Sequence, residues 1–256
     1  MAGNYQTDVN RVVQMTLPTN YEQQIKNIQS SPKFQDQKPV DFPGYTIITP
    51  PSGDDPNNSD FYEYLGEFQT ELVEAMGAGL LIPVPKKSFH VTFADLIWDN
   101  LYEDALTQNP DFDNLLIQEI DSIFKDYKTV DNSALPFDFE VLGLSIFPRA
   151  LVICLSPTEN CYQRILKLRQ LIYQDEQIID LGIEQHYEFV AHITLGYFGK
   201  VEDNFDPEKL QEIITKFNFQ WLENAPPKLS LNRFELRRFN NMTNYLREDD
   251  WAVFEV

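Results

Sequence analysis

Two of the chain's three histidines open the same four-residue phrase, His90-Val91-Thr92-Phe93 and His192-Ile193-Thr194-Leu195. In an extended strand alternate side chains point to opposite faces. Each histidine therefore shares a face with the threonine two residues on, while Val91 and Phe93, or Ile193 and Leu195, turn toward a core. An imidazole with an ordinary pKa of about 6.5 can act as acid or base near neutrality. A threonine favours a strand by its β-branch and offers a hydroxyl donor. Two such pairs facing across a cleft suit phosphodiester chemistry. One imidazole takes a proton from attacking water, the other gives one to the departing ribose oxygen, and the hydroxyls meet charge growing on the non-bridging oxygens. None of these roles calls for a metal or another cofactor.

One such phrase could be an accident of a core histidine. Two matches among three histidines, each behind a helix, favour the catalytic reading. The third, His186, sits in the loop-like Glu184-Gln185-His186-Tyr187. A three-histidine zinc centre is the alternative, but no HExxH spacing supports it and it leaves the repeated threonines unexplained. Glycine-rich phosphate loops, GxSxG elbows and dinucleotide fingerprints are absent. Cys154 and Cys161, seven residues apart, match neither a redox pair nor a zinc spacing; Cys154, within an apolar run, reads as core.

The elements that would carry the motifs come in a repeated order. A helix from Asp60, with Glu63 completing a capping box, presents Leu65, Phe68 and Leu72 on one face and stops near Gly77 and Gly79. A second, from Ser156 with Pro157 at its first position and Glu159 completing another box, presents Ile165, Leu168 and Ile172. The two apolar triplets are offset by 100 residues, and the two motif histidines by 192 − 90 = 102. Each motif precedes another helix, one near Pro110 and one capped by Asp206 with Pro207 behind it. Strand patterns fall at 45–49, 137–147, 151–155, 229–239 and 251–256. This order predicts two related α+β lobes. Residues 1–40 read as an N-terminal extension with one short helix over 20–30. Residues 41–256 read as a single bilobal domain, with a His90 lobe of about 41–135 and a His192 lobe of about 136–256, interlacing left open.

With 40 acidic and 20 basic residues, the chain carries a net charge of −20, which repels polyanions and disfavours duplex nucleic acid. Arg233, Arg237, Arg238 and Arg247 form the one basic cluster, read as a solvated strand face. A phosphate substrate is therefore expected to be small, or gripped by its end. The polar N-terminus lacks signal- and transit-peptide features, and no apolar run is long enough for a membrane span, so a cytoplasmic protein is expected. Beyond the motifs, Tyr197 is expected on the face of His192 and Thr194 provided Gly196 does not bulge the strand, and Arg149, at a turn after a proline, is a candidate ribose or phosphate contact.

The two H-φ-T-φ phrases, with the string Ala191-His192-Ile193-Thr194-Leu195-Gly196-Tyr197, resemble the signature of the 2H phosphoesterase superfamily. The text Ser31-Pro32-Lys33-Phe34 through Asp41-Phe42-Pro43-Gly44-Tyr45-Thr46 further resembles a branch known chiefly as a domain of unknown function; that branch often has asparagine where this chain has Tyr45. The resemblance implies a pseudo-twofold α+β fold, two antiparallel or mixed sheets lining a central cleft with helices outside, and no metal. It implies His90 and His192 as the acid–base pair, Thr92 and Thr194 as phosphate-binding hydroxyls, and Tyr45 as a further substrate contact. The implied activity is opening of a small 2′,3′-cyclic phosphate or related cyclic nucleotide. RNA end processing or 2′-5′ ligation, and nucleotide binding without turnover, are the alternatives.

Overall fold

The computed structural model describes residues 4–202 and 205–256. In chain order these form α1 (Tyr5–Met15), α2 (Pro18–Ile25), the short hairpin β1 (Phe34–Gln35) and β2 (Lys38–Pro39), β3 (Gly44–Ile48), α3 (Ser59–Met76), β4 (Leu81–Pro83) and β5 (Thr92–Trp98). There follow α4 (Asn100–Gln108), α5 (Phe112–Val130), β6 (Phe137–Phe147), β7 (Ala150–Pro157), α6 (Glu159–Tyr173) and α7 (Glu176–Asp180). The chain ends with β8 (His192–Phe198), α8 (Pro207–Asn224), β9 (Lys228–Leu231), β10 (Arg233–Asn241), β11 (Asn244–Leu246) and β12 (Val253–Glu255).

Two antiparallel five-stranded sheets result. The first runs β11-β10-β3-β5, with β12 also on β10; the second runs β4-β8-β7-β6-β9. One motif strand lies in each, β5 at an edge and β8 between β4 and β7. The fold is α+β with two lobes, as the element order predicts. The lobes are interlaced: β4 crosses to the second sheet, and β10, β11 and β12 return from the chain's end to the first.

Helix signals explain most of the helical layer. Buried Phe112, Leu116, Ile120, Ile123, Phe124 and Tyr127 follow the helical period along α5. The Asp206 carboxylate accepts the amide of Lys209 and Pro207 stands at the first position of α8, as expected. The boxes proposed at Asp60 and Ser156 do not form. α3 starts at Ser59, and Ser156 and Pro157 stay in β7 because they pair with Glu140 and Phe139. The strand expected over 229–239 is two strands broken at Asn232, β9 in one sheet and β10 in the other.

A continuous core joins the lobes. Phe93 of β5 packs against Phe137 of β6 and stacks on Phe234 of β10, which stacks in turn on Phe254. Truncating one such ring to alanine typically costs about 3–5 kcal/mol. The first forty residues are built into the second lobe rather than appended to it. The Tyr21 hydroxyl, fully buried, donates toward the carbonyl oxygens of Leu144 (2.9 Å) and Thr16 (3.1 Å). Val12 of α1 packs on Ala150, Val152 and Cys154, which are the β7 partners of Tyr197, Thr194 and His192. Cross-strand partners share a face, so α1 walls the cleft beside His192.

Candidate active site

Both motif histidines are fastened in the same way. The Nδ1–H of His90 donates to the carbonyl of Ser88, and that of His192 to the carbonyl of Val190, each at 2.7 Å. A carbonyl only accepts, so this bond fixes the tautomer and turns a bare Nε2 outward when the ring is neutral. His90 stands just ahead of β5, where Val91 and Thr49 hold each other by two bonds of 3.0 Å. Val91, Phe93, Ile193 and Leu195 are buried, while both histidines and both threonines are half-buried on the opposite face.

Beyond each threonine the strand takes in one extra residue. Against β3, Thr92 pairs with Ile48 and Ala94 with Ile47, so Phe93 is the bulge; a second bulge at Leu96 follows. Against β7, Thr194 pairs with Val152 and Gly196 with Leu151, so Leu195 is the bulge. A bulge shifts side-chain parity by one. It thereby brings half-buried Asp95 to the face of His90 and Thr92, and Tyr197 to the face of His192 and Thr194. Tyr197 thus reaches the expected face for the opposite reason: the bulge places it there, and an unbroken strand would have turned it away. Gly196 is required here, because a Cβ would lie 2.6 Å from the carbonyl of Ile82 on β4.

The carbonyls freed by the bulges are met by helices. Arg169 of α6 donates to the carbonyls of Phe93 (2.6 Å) and Tyr187 (2.8 Å), and Tyr173 of α6 to that of Asp95 (2.7 Å). Gln69 of α3 donates to the carbonyls of Leu195 (2.6 Å) and Val84 (2.9 Å). The pairing is crossed: the helix preceding each motif in sequence braces the motif strand of the other lobe.

The surroundings of the two rings differ. Burial pushes His90 down from 6.5 to about 4, against the pull of the Ser88 carbonyl, and nearby His192 and Arg237 push the same way. His192 is also lowered by burial, but the Val190 carbonyl and the carboxylate of Asp95 oppose the fall, while Lys33 adds to it. The Tyr245 ring stands 4.4 Å from that of His90, and Phe147 stands 5.0 Å from His192. Burial first, then Tyr197 and Asp95, raises the Tyr245 hydroxyl well above its usual range.

The arginine cluster is not a solvated face. Arg237 donates to Glu235 (2.6 Å), Asp54 (2.8 Å) and the carbonyl of Tyr245 (2.9 Å). Arg233 and Arg247 also lean on the fully buried Glu235. Arg238 points to the other side, toward Asp113. Tyr45 is a correction as well. It is 1% exposed and packed against Tyr102 and Trp251, so no ligand in the cleft can touch it. Arg149 is exposed at the β6–β7 turn, its backbone carbonyl accepting from the amide of Phe198. His186 lies against Trp98, and among the described residues no group of three or more His, Cys, Asp or Glu is placed to hold a metal ion. Asp95, Tyr245, Arg237 and Lys33 were not singled out as site residues from the sequence. Asp95 carried a signal: it follows His90 by five residues, as Tyr197 follows His192. A cavity of about 520 Å³, lined by Phe34, Ile82 and Lys209 among others, includes neither motif histidine and is not this site. Among the described residues no helix is long and apolar enough to cross a membrane.

No family model and no curated protein matches the chain. Solved structures do. The conserved protein of unknown function ATU0111 from Agrobacterium tumefaciens superposes with a TM-score of 0.57 at 18% identity, over 84% of this chain and 88% of that one. E. coli LigT complexed with 3′-AMP superposes more loosely, with a TM-score of 0.43 at 15% identity over 85% and 99% of the two chains. TT0787 of Thermus thermophilus does likewise, at 0.42 and 17% over 76% and 87%. At these identities the likeness is one of fold. The chain shares with ATU0111 an α+β fold, here carrying one His-x-Thr strand in each of two interlaced lobes.

Proposed function

We propose that the chain is a 2H-type phosphoesterase that opens a small 2′,3′-cyclic phosphate, or a related cyclic nucleotide, to a phosphate monoester. The observation that carries this reading is the matched fastening of two half-buried imidazoles, each tied through Nδ1 to a backbone carbonyl with Nε2 free. His90 is the base, because its surroundings hold it neutral down to about pH 4. It takes a proton from water as the water oxygen bonds to phosphorus. His192, whose cation Asp95 favours, gives its proton to the ribose oxygen as the P–O bond breaks. Solvent then resets both rings. Thr92 and Thr194 donate to the non-bridging oxygens, a contribution of roughly 10²–10³ in rate per well-placed donor. Side chains fill every role, so the step needs no metal. Tyr197 and Tyr245 offer rings or hydroxyls to the nucleoside. A small substrate suits a cleft in which Glu235 and Asp54 already neutralise Arg237, within a chain of net charge −20.

The test is hydrolysis, in EDTA, of 2′,3′-cyclic mononucleotides, ADP-ribose cyclic phosphate and a short RNA ending in a cyclic phosphate. Wild type is compared with His90→Ala and His192→Ala, each expected to lose about 10²–10⁴ in rate. Loss of activity in EDTA, restored by zinc, overturns the reading. So does turnover that survives both substitutions.

A further inference from the structure

Residues 31–43 form a strap that ties the two lobes at one end of the cleft. The Ser31 amide donates to the carbonyl of Phe198 at the end of β8. The Phe42 amide donates to the carbonyl of Asn240 on β10, and the Pro43 carbonyl accepts from Asp99 just past β5. Phe34 and Phe42 are buried with Ile82 and Phe239, and half-buried Tyr197 and Tyr245 pack against that cluster. The strap therefore meets both motif strands and closes this end.

Against this cluster, the ammonium of Lys33 lies 5.1 Å from the ring centre of Tyr197 and 4.8 Å from that of Phe42. Its side chain is half-buried, and it is near enough to His192 to disfavour a second positive charge there. Among the described residues it makes no ion pair, although the chain has twice as many acidic as basic residues. The contrast with Arg237 is instructive, because that guanidinium is consumed by Glu235 and Asp54. Aromatic faces hold a cation without using its N–H donors. Lys33 is thus positioned by the strap and left with donors for an anion.

We infer that Lys33 is a second anion subsite, so that the preferred substrate bears a phosphate apart from the cyclic phosphodiester, on the 5′ carbon of the same nucleoside. This rests on the proposed function and names its substrate more closely. A lone charge-assisted bond of this kind changes affinity by about ten- to a hundredfold.

The readout is a ratio: kcat/KM for adenosine 2′,3′-cyclic phosphate with a 5′-phosphate over that without it. Wild type should favour the 5′-phosphorylated compound by about tenfold or more. Lys33→Met keeps a stem over the two rings and should bring the ratio to near one, whereas Lys33→Arg should keep most of it. A wild-type ratio near one overturns the subsite. A ratio unchanged in Lys33→Met does too, including the case where both substrates suffer equally because Lys33 meets the cyclic phosphate itself. Calorimetric binding of adenosine 3′,5′-bisphosphate against adenosine 3′-monophosphate repeats the comparison without turnover. If no cyclic phosphate is hydrolysed, the proposed reaction fails, while a bisphosphate preference lost in Lys33→Met still supports the subsite and equal binding still sinks it. Thermal unfolding of each variant confirms that the fold is intact.

Discussion

In the first lobe, the carbonyl that the bulge frees at Phe93 is taken by a buried arginine; in the second, the matching carbonyl at Leu195 is taken by a buried glutamine. Arg169 and Gln69 are offset by 100 residues, like the apolar triplets around them. The same frame, a histidine tied by Nδ1, a threonine, a bulge and a brace from the opposite helix, is therefore built twice and furnished differently. At the position the bulge exposes, one strand offers the carboxylate of Asp95 and the other the phenol of Tyr197. His90 lies near Arg237, whereas His192 has both Asp95 and Lys33 nearby. Symmetry sets two like groups on one cleft; in the proposed reaction, the departures from symmetry divide the labour between them.

The hardest blow to the symmetric part falls on the hydroxyls. Thr92→Val and Thr194→Val each remove one donor at nearly constant shape, and each should lower kcat by roughly 10²–10³ with little change in stability. Equal losses, measured at saturating substrate, mean that the two hydroxyls share the growing charge. A loss confined to one would show that the phosphate leans on a single lobe.

The braces should separate next. Arg169→Met leaves the buried carbonyl of Phe93 unsatisfied, at about 1–3 kcal/mol, and gives up a charge-assisted bond to that of exposed Tyr187, so about 2–4 kcal/mol in denaturant unfolding is expected. Gln69→Leu should cost less, about 1–3 kcal/mol, because only the buried Val84 carbonyl is left bare while that of Leu195 keeps the amide of Val84. If Gln69 proves the more costly of the two, the arginine is not the main tie across the lobes.

This crossed bracing also marks how far the sequence could be read. The two His-x-Thr phrases and the 100-residue offset of the helices were plain in the residues, because periodicity and spacing are local. The bulges were not: an added residue leaves no compositional mark, and what stabilises each comes from a helix distant in the chain, Arg169 lying 76 residues from Phe93 and Gln69 lying 126 from Leu195. Asp95 was missed for that reason. Glu235 sits between Arg233 and Arg237 in the sequence, yet alternation alone could not tell that all three side chains would meet in a buried network. Tyr45 was placed by resemblance, and its burial against Tyr102 reflects packing that no neighbouring residue announces.

Acid sensitivity follows from burial of the rings. In the unfolded chain a histidine takes up its proton near the ordinary value of about 6.5, whereas folded His90 does so only near 4. The unfolded state thus binds more protons between these values, and stability falls as the pH drops from 6.5 through 4. His192 contributes in the same direction. Denaturant unfolding of His90→Gln should therefore show a shallower loss of stability over that window than wild type. An identical slope would mean that the His90 ring is hydrated in the folded protein.

The smallest effect is the most direct test of the division of labour. With His90 as base and His192 as acid, kcat/KM should peak on the acid side of neutrality, bounded below by His90 near pH 4 and above by His192. Asp95 supports the charged form of His192 and Lys33 opposes it. Asp95→Asn should therefore move the upper limb to lower pH, since the acid loses its proton sooner. Lys33→Met should move the same limb to higher pH. Neither substitution should carry the lower limb with it. If Asp95→Asn shifts the lower limb instead, His192 is the base and the roles exchange. If it shifts neither, the carboxylate does not act on the reacting pair, and the asymmetry between the lobes serves binding rather than proton transfer.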